Sequence, residues 1–225
     1  IGVMESKKLW ALYLEAENIG QYVTLITSPF NSPVQTSYEI LNGGYGSNDA
    51  PACVDENRRR VAAGLGFAPD KLFGLKQYHS ATAILLSESA GSARDQRPDA
   101  DAYVTTRLDV AVAILTADCV PILIYEKRKK IIGCIHSGWK GAINGVIENT
   151  LKKIDEMEGD VRQLIVSVGP CISQKNYEVK DNFYSEFIKK SKDNDSFFLK
   201  NEKNTFNFDL RRFVNKKFED AGVLE

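Results

Sequence analysis

The chain contains two histidines, His79 and His136, and each closes an apolar or mixed run, LFGLKQYH for the first and KIIGCIH for the second. Between them Cys119 follows a third apolar run, within Ala-Asp-Cys-Val-Pro. One thiolate and two neutral imidazoles form a donor set that suits zinc or copper better than magnesium or calcium. A reactive zinc site takes about three protein ligands and keeps one further position open for water or substrate. All three residues are expected at strand–loop junctions, where side chains converge above a sheet edge and rigid backbone below holds their geometry. The same residues also fit a plainer role, as a buried inert thiol and two hydrogen-bonded histidines. Spacing does not decide between the two, because the three lie far apart and form no compact ligand motif.

Positioning such a group requires a sheet, and the middle of the chain reads as one. DAYVTT, VAVAILTA, VPILIY and KIIGCIH are four short apolar segments separated by Asp, Pro or the basic turn at 127–130. Further strands are expected over 22–27 (YVTLIT), 72–79, 82–87 (TAILLS) and 164–169 (LIVSVG). Residues 28–51 are rich in Gly, Asn, Ser and Pro and read as a long loop, a place where function often resides. A helix is expected over 49–65, with Asp49 as N-cap, Pro51 near the first turn, and Gly64 and Gly66 at the stop. After Gly141, Ile143, Val146, Ile147, Leu151, Ile154 and Met157 recur at helical spacing and imply one amphipathic helix. Later helices are expected over 183–190 and 210–221. Strands gathered with a few covering helices point to an α+β layered fold rather than a regular βαβ alternation.

Other residues near these segments have assignable roles. Cys134, inside a strand, and Cys171, after Gly169-Pro170, read as packing, and Trp139 reads as a core plug. Gly138 and Gly141 serve a sharp strand-to-helix turn after His136, which would aim the first helical N–H groups at the site, an arrangement that holds anions such as phosphate. Lys140 would assist there, or simply be solvated. The 225 residues, 43% hydrophobic and 26% charged, suffice for one full core, so a single domain over 1–225 is expected. A formal net charge of −1 gives no global pull toward nucleic acid or anionic membrane. The apolar runs fall far short of the roughly 20 residues that span a bilayer, and no basic-then-apolar signal segment opens the chain, so it reads as cytoplasmic. Four cysteines without C-x-x-C spacing read as reduced thiols.

The blocks KQYH, LTADCVPILIY, IHSGWKGAINGVIENT and VGPCISQKNYEV, with the segment NRRRVAAGLG upstream, are similar in order and spacing to the YfiH-like family. Members of that family are variously labelled polyphenol oxidase (laccase-like), purine nucleoside phosphorylase or peptidoglycan editing factor. The resemblance covers roughly 40–185. It implies that His79, Cys119 and His136 bind a catalytic Zn²⁺, with Cu²⁺ as the alternative, in a compact layered α/β/β/α domain of the cysteine-hydrolase-like kind. The chain departs from the family pattern at ITSPFNSPVQTSY and at GYGSND, and it ends before the family's C-terminal Phe-Ser-x-Arg-Arg block. Two chemistries are implied at one site: phosphorolysis of adenosine, inosine or methylthioadenosine by inorganic phosphate, and deamination of adenosine. Asp118 beside Cys119 is a candidate proton shuttle. Gln77, on the side of His79 in a regular strand, is a candidate to orient a ligand or bind the base. Arg58 is a candidate bidentate donor to phosphate. The expected partners are purine nucleosides and inorganic phosphate, with the protein a monomer or homodimer. Three alternatives remain: a copper-dependent laccase-like phenol oxidase, a Cys119–His136 hydrolase acting on peptidoglycan precursors, and a binding protein whose zinc is structural.

Overall fold

A computed structural model describes residues 2–6, 9–16 and 19–26 as backbone, and residues 42–46, 49–202 and 204–223 with side chains. Much of the loop expected over 28–51 lies outside the described residues. In chain order the elements are β1 (Gly2–Ser6), β2 (Leu9–Ala16), β3 (Ile19–Ile26), α1 (Pro51–Gly64), β4 (Leu72–Phe73), β5 (Ala83–Leu85), β6 (Ala102–Thr105), β7 (Ala111–Val112), β8 (Val120–Glu126) and β9 (Ile131–Ser137). There follow α2 (Trp139–Asn144), α3 (Val146–Glu156), β10 (Leu164–Val168), β11 (Glu178–Val179), α4 (Asp181–Lys190), β12 (Phe198–Lys200), β13 (Phe206–Phe208) and α5 (Leu210–Asp220).

The central sheet has the order β10-β8-β9-β6-β5, antiparallel except for the β5–β6 pair. Every residue of β8 and β9 is buried, which explains why these segments read as continuous apolar runs rather than alternating ones. Alternate residues feed two different cores. Val120, Ile122, Ile124, Ile131 and Ile135 pack with Ile147, Leu151 and Ile154 of α3 and Phe213 and Val214 of α5. Leu123, Tyr125, Ile132, Cys134 and Tyr103 pack on the opposite face with Phe73 and Val112 of the parallel β4–β7 pair. That pair turns its other face, Leu72 and Ala111, onto Val61 and Ala62 of α1. The layers therefore run helices, five-stranded sheet, β4–β7 pair, helix, the α/β/β/α order implied by the resemblance. A small β11-β13-β12 sheet with α4 and α5 encloses a cluster of phenylalanines, and Trp139 packs into it 4.6 Å from Phe183.

Several local expectations change. The N-cap of α1 is Ala50 with no side-chain cap bond, not Asp49, whose carboxylate instead accepts the Ala50 N–H at 2.9 Å. The single helix expected after Gly141 is two, because Gly145 takes a left-handed φ of 97° that breaks the α-helical ladder. The strand expected over 72–79 stops at Phe73, and that expected over 110–117 shrinks to Ala111–Val112. Both stretches leave the sheet as loops and converge at the site.

Full burial of an Ile side chain is worth roughly 1.5–3 kcal/mol. Ile135→Ala, at a position with no exposed surface, should cost roughly 2–5 kcal/mol in denaturant unfolding. Leu199→Ala, at 60% exposure, should stay within about 0.5 kcal/mol. Equal losses at the two positions would contradict the layer assignment.

Candidate metal centre and its cleft

Register and strand parity bring the donors together. His136 and Cys134 share a face of β9, and the pairing of Ala102 with Ile135 and Tyr103 with Cys134 sets Asp101 beside His136. Cys119 immediately precedes β8, where Val120 pairs with Ser137, so it faces Gly138. His79 comes from outside the sheet. It sits in a loop with φ of 62°, not at the end of a strand, and reaches the site from across the cleft. One ligand atom from each of His79, Cys119 and His136 lies within 4.8 Å of the other two. The two imidazoles meet edge to face with centroids 5.0 Å apart. A side chain at position 138 would collide with this group, since a Cβ there would fall 2.6 Å from His79 Cδ2 and 3.0 Å from Cys119 Sγ.

Asp101 organises both histidines. It is 0% exposed, a place where a carboxylate is tolerated only when fully hydrogen-bonded. Its Oδ1 accepts His136 Nδ1 at 2.8 Å and the His79 N–H at 3.1 Å. Its Oδ2 accepts the Ser80 N–H at 2.6 Å and the Ser80 hydroxyl at 2.7 Å. Burial would raise the Asp101 pKa, but the bonds from His136 and Ser80 outweigh it and hold the group below the usual range. An ionised carboxylate can only accept, so His136 Nδ1 carries the proton and Nε2 is left as the free ring nitrogen, the arrangement found behind metal-binding histidines. Burial, the neighbouring His136 and Lys140 together lower the His79 pKa and favour the neutral, ligating imidazole. Burial, then Asp118, Asp101 and Cys171, push the Cys119 thiol up to about 11. Without a cation beside it the thiol keeps its proton. Two imidazoles, one thiol awaiting a positive charge and a carboxylate behind them make a donor set that fits zinc or copper.

The segment carrying Cys119 is clamped at several points. Gln77 Nε2 donates to the Leu115 carbonyl at 2.6 Å, and Gln77 Oε1 accepts the Leu115 N–H at 2.7 Å. Thr116 Oγ1 donates to the Cys119 carbonyl, and the Ile172 N–H donates to the Asp118 carbonyl at 2.9 Å. Gln77 thus has both amide atoms on backbone and ties the loop of His79 to the loop of Cys119.

These walls enclose a cleft of about 630 Å³, lined by His79, Cys119 and His136 and also by Gln77, Asp118 and the loop 115–117. Asp118 is exposed there. Lys140 does not line the cleft; its ammonium lies 5.6 Å from the centre of the Trp139 ring. Arg58 does not line it either. Its guanidinium donates to Leu72 O at 3.1 Å and Gly43 O at 3.5 Å and lies over the Tyr45 ring. Arg94 and Arg97 do line it, from the loop after β5. Sequence reasoning missed Asp101, Arg94 and Arg97. A usable signal existed for Asp101, an acid at the head of the otherwise apolar DAYV run. Cys134 is fully buried as expected, whereas Cys171 is only partly buried, near enough to Cys119 for its charge to matter there.

Asp101→Asn should weaken zinc or copper binding about 10–100-fold in chelator competition; unchanged affinity would mean that the carboxylate does not orient His136. Because a binding metal must displace the Cys119 proton, apparent affinity should rise as pH rises toward the thiol value of about 11, by roughly tenfold per pH unit for one proton. A flat profile above neutral pH would exclude the thiol as a ligand.

Residues 27–225 match the family described as multi-copper polyphenol oxidoreductase laccase, a match that extends beyond the stretch carried by the four motif blocks. Over 205 residues the chain is 37% identical to a purine nucleoside phosphorylase of Rickettsia conorii, an alignment covering 91% of this chain and 80% of that protein. A purine nucleoside phosphorylase of Rickettsia prowazekii is 40% identical over 129 residues, 57% of this chain and 53% of the relative. Among solved structures, the Bacillus licheniformis hypothetical protein YfiH shares the fold with a TM-score of 0.77 at 22% identity, covering 83% of this chain and 72% of that one. With its layer order and motif blocks in agreement, the chain belongs to the YfiH-like family, described as the multi-copper polyphenol oxidoreductase laccase family.

Proposed function

We propose that the protein is a zinc-dependent purine nucleoside phosphorylase with adenosine deaminase activity, acting on adenosine, inosine or methylthioadenosine in the cleft above His79, Cys119 and His136. The observation that carries the reading is the convergence of these three ligand atoms within 4.8 Å on the wall of a cleft of about 630 Å³, a volume suited to a nucleoside. The names of the two Rickettsia relatives point the same way. His79, Cys119 and His136 would hold the ion, which when bound supplies Lewis acidity at the cleft wall. Asp101 fixes the protonated nitrogen of His136 and keeps its other nitrogen free.

In phosphorolysis a phosphate oxygen forms a bond to C1′ of the nucleoside as the bond from C1′ to the purine nitrogen breaks. The departing purine takes up a proton, which in this reading the exposed Asp118 side chain relays. In deamination, water adds at C6 of adenine and ammonia leaves, with Asp118 again moving the proton. The apolar and backbone walls around Leu75, Leu115 and Ala117 give the base a dry face. The cytoplasmic location belongs to the same proposal and is supported by four unpaired thiols.

The copper reading has one observation in its favour, since two imidazoles and one thiolate are also the donors of single-copper electron-transfer sites. Two histidines in the whole chain are too few for a multi-copper set. A metal-free Cys119–His136 nucleophile pair is disfavoured by a thiol held at about 11.

Metal-quantified, zinc-loaded protein given adenosine and phosphate should release adenine and ribose 1-phosphate, together with inosine. Cys119→Ala should lose both bound zinc and turnover. An absence of adenine, hypoxanthine and inosine from the zinc-loaded protein would sink the reading. Oxygen uptake with a phenol by the copper-loaded form alone would favour copper instead.

A further inference from the structure

Three arginines converge on one aromatic ring beside the cleft. The guanidinium carbons of Arg58, Arg94 and Arg97 lie 5.3, 5.4 and 4.7 Å from the centre of the Tyr45 ring. Like charges gathered this closely repel, and among the described residues no carboxylate forms an ion pair with any of the three, although the Asp55 charge acts on Arg58. Among the described residues, the arginine ion pairs involve Arg59, Arg60, Arg107 and Arg162 and none of these three. Asp55 accepts the Tyr45 hydroxyl and forms no ion pair with a guanidinium among the described residues. The bonds that hold the cluster go to neutral carbonyls. Arg97 Nε donates to Arg94 O at 3.1 Å and Arg97 Nη1 to Leu75 O at 3.2 Å, while Arg58 reaches Leu72 and Gly43. A guanidinium has five N–H donors in a rigid fork, and among the described residues the side-chain hydrogen bonds of Arg94 and Arg97 use only two of those donors, both on Arg97.

The cluster also has a direction. Arg94 and Arg97 line the cleft that holds His79, Cys119 and His136, and with Lys76 they make three cationic side chains on its wall against the single carboxylate of Asp118. The contacts with the Tyr45 ring, and for Arg97 the two bonds to backbone carbonyls, hold the guanidiniums in advance, which lowers the ordering cost of binding a tetrahedral anion. Arg58 lies near the same ring without lining the cleft; burial lowers its pKa, and its charge acts on Arg97.

We infer that Arg94 and Arg97, braced by Tyr45 and Arg58, form the subsite that binds inorganic phosphate for attack on the nucleoside. The inference rests on the phosphorolysis reading, and it moves the anion contact from Arg58 to two residues of the loop after β5. The cleft is then divided. Phosphate occupies the arginine end, the nucleoside lies between, and the His/Cys/His group faces them both from the wall.

The test is steady-state phosphorolysis by the zinc-loaded full chain, varying phosphate and nucleoside separately, with R94Q, R97K and the R94Q/R97Q pair. Arg94 is exposed, so R94Q leaves the core intact. Losing one charge-assisted contact should raise KM for phosphate about tenfold, with a larger rise in the pair and little change in KM for the nucleoside or in bound zinc. R97K, which keeps the charge but loses the fork, should also raise KM for phosphate. An unchanged KM for phosphate, or equal rises in both KM values, would overturn the inference. Calorimetric titration of inorganic phosphate separates the two levels. Arginine-dependent binding by a protein that performs no phosphorolysis would leave the anion site standing and remove the catalytic reading. Phosphorolysis with arginine-independent phosphate binding would do the reverse. A nucleoside 5′-monophosphate bound more tightly than the nucleoside, with the gain lost in the pair variant, would mean that the arginines read an ester phosphate and would contradict the inorganic-phosphate subsite.

Discussion

The buried carboxylate of Asp101 is the interaction on which the site depends. A lone ionised carboxylate with no exposed surface would cost several kcal/mol, so its oxygens must be filled, and four close donors fill them. Those donors come from two places that the chain otherwise keeps apart, the end of β9 and the loop over 79–80. One group therefore sets the protonation of the His136 ring and anchors the backbone of His79. That anchoring also sustains the left-handed φ of 62° at His79, which for a residue with a side chain costs about 1–2 kcal/mol when unsupported.

Everything else around the cleft keeps the third donor in reach. The sheet places Cys119 opposite Gly138, where the absence of a side chain leaves room for a thiol and two imidazoles. Gln77 and Thr116 replace a regular strand pairing with side-chain bonds to backbone, so two irregular loops hold a fixed relation. Such loops would be poor scaffolds if free. Here they lie on a four-layer core whose central strands are buried on both faces. The result is a cleft with the His/Cys/His group on one wall and the guanidiniums of Arg94 and Arg97 on another, the charge distribution on which the proposed reading of a neutral nucleoside and an anionic co-substrate rests.

How far the sequence carried this picture varies with the physics of each element. β8 and β9 were plain because burial on both faces makes an unbroken apolar run, and the donors at their ends followed from residue type. The strands expected over 72–79 and 110–117 were overstated because apolar loop residues such as Leu75 and Ile114 pack into the core as well as strand residues do. Gly145 divides a helix whose apolar spacing passes through it without interruption, and only the backbone reveals the break. Asp101 is silent in any ligand pattern since it binds through another residue. Arg94 and Arg97 sit in a polar loop of ordinary composition, and only the fold shows that they gather with Arg58 around the Tyr45 ring.

The central claim is that Asp101 and the sheet assemble His79, Cys119 and His136 as three ligands of one ion with a further position open. X-ray absorption at the metal edge of the zinc-loaded protein reads that donor set directly. One sulfur at about 2.3 Å, two imidazole nitrogens at about 2.0 Å and one light exchangeable ligand are expected. A shell without sulfur, or one closed by a second sulfur, would contradict the account.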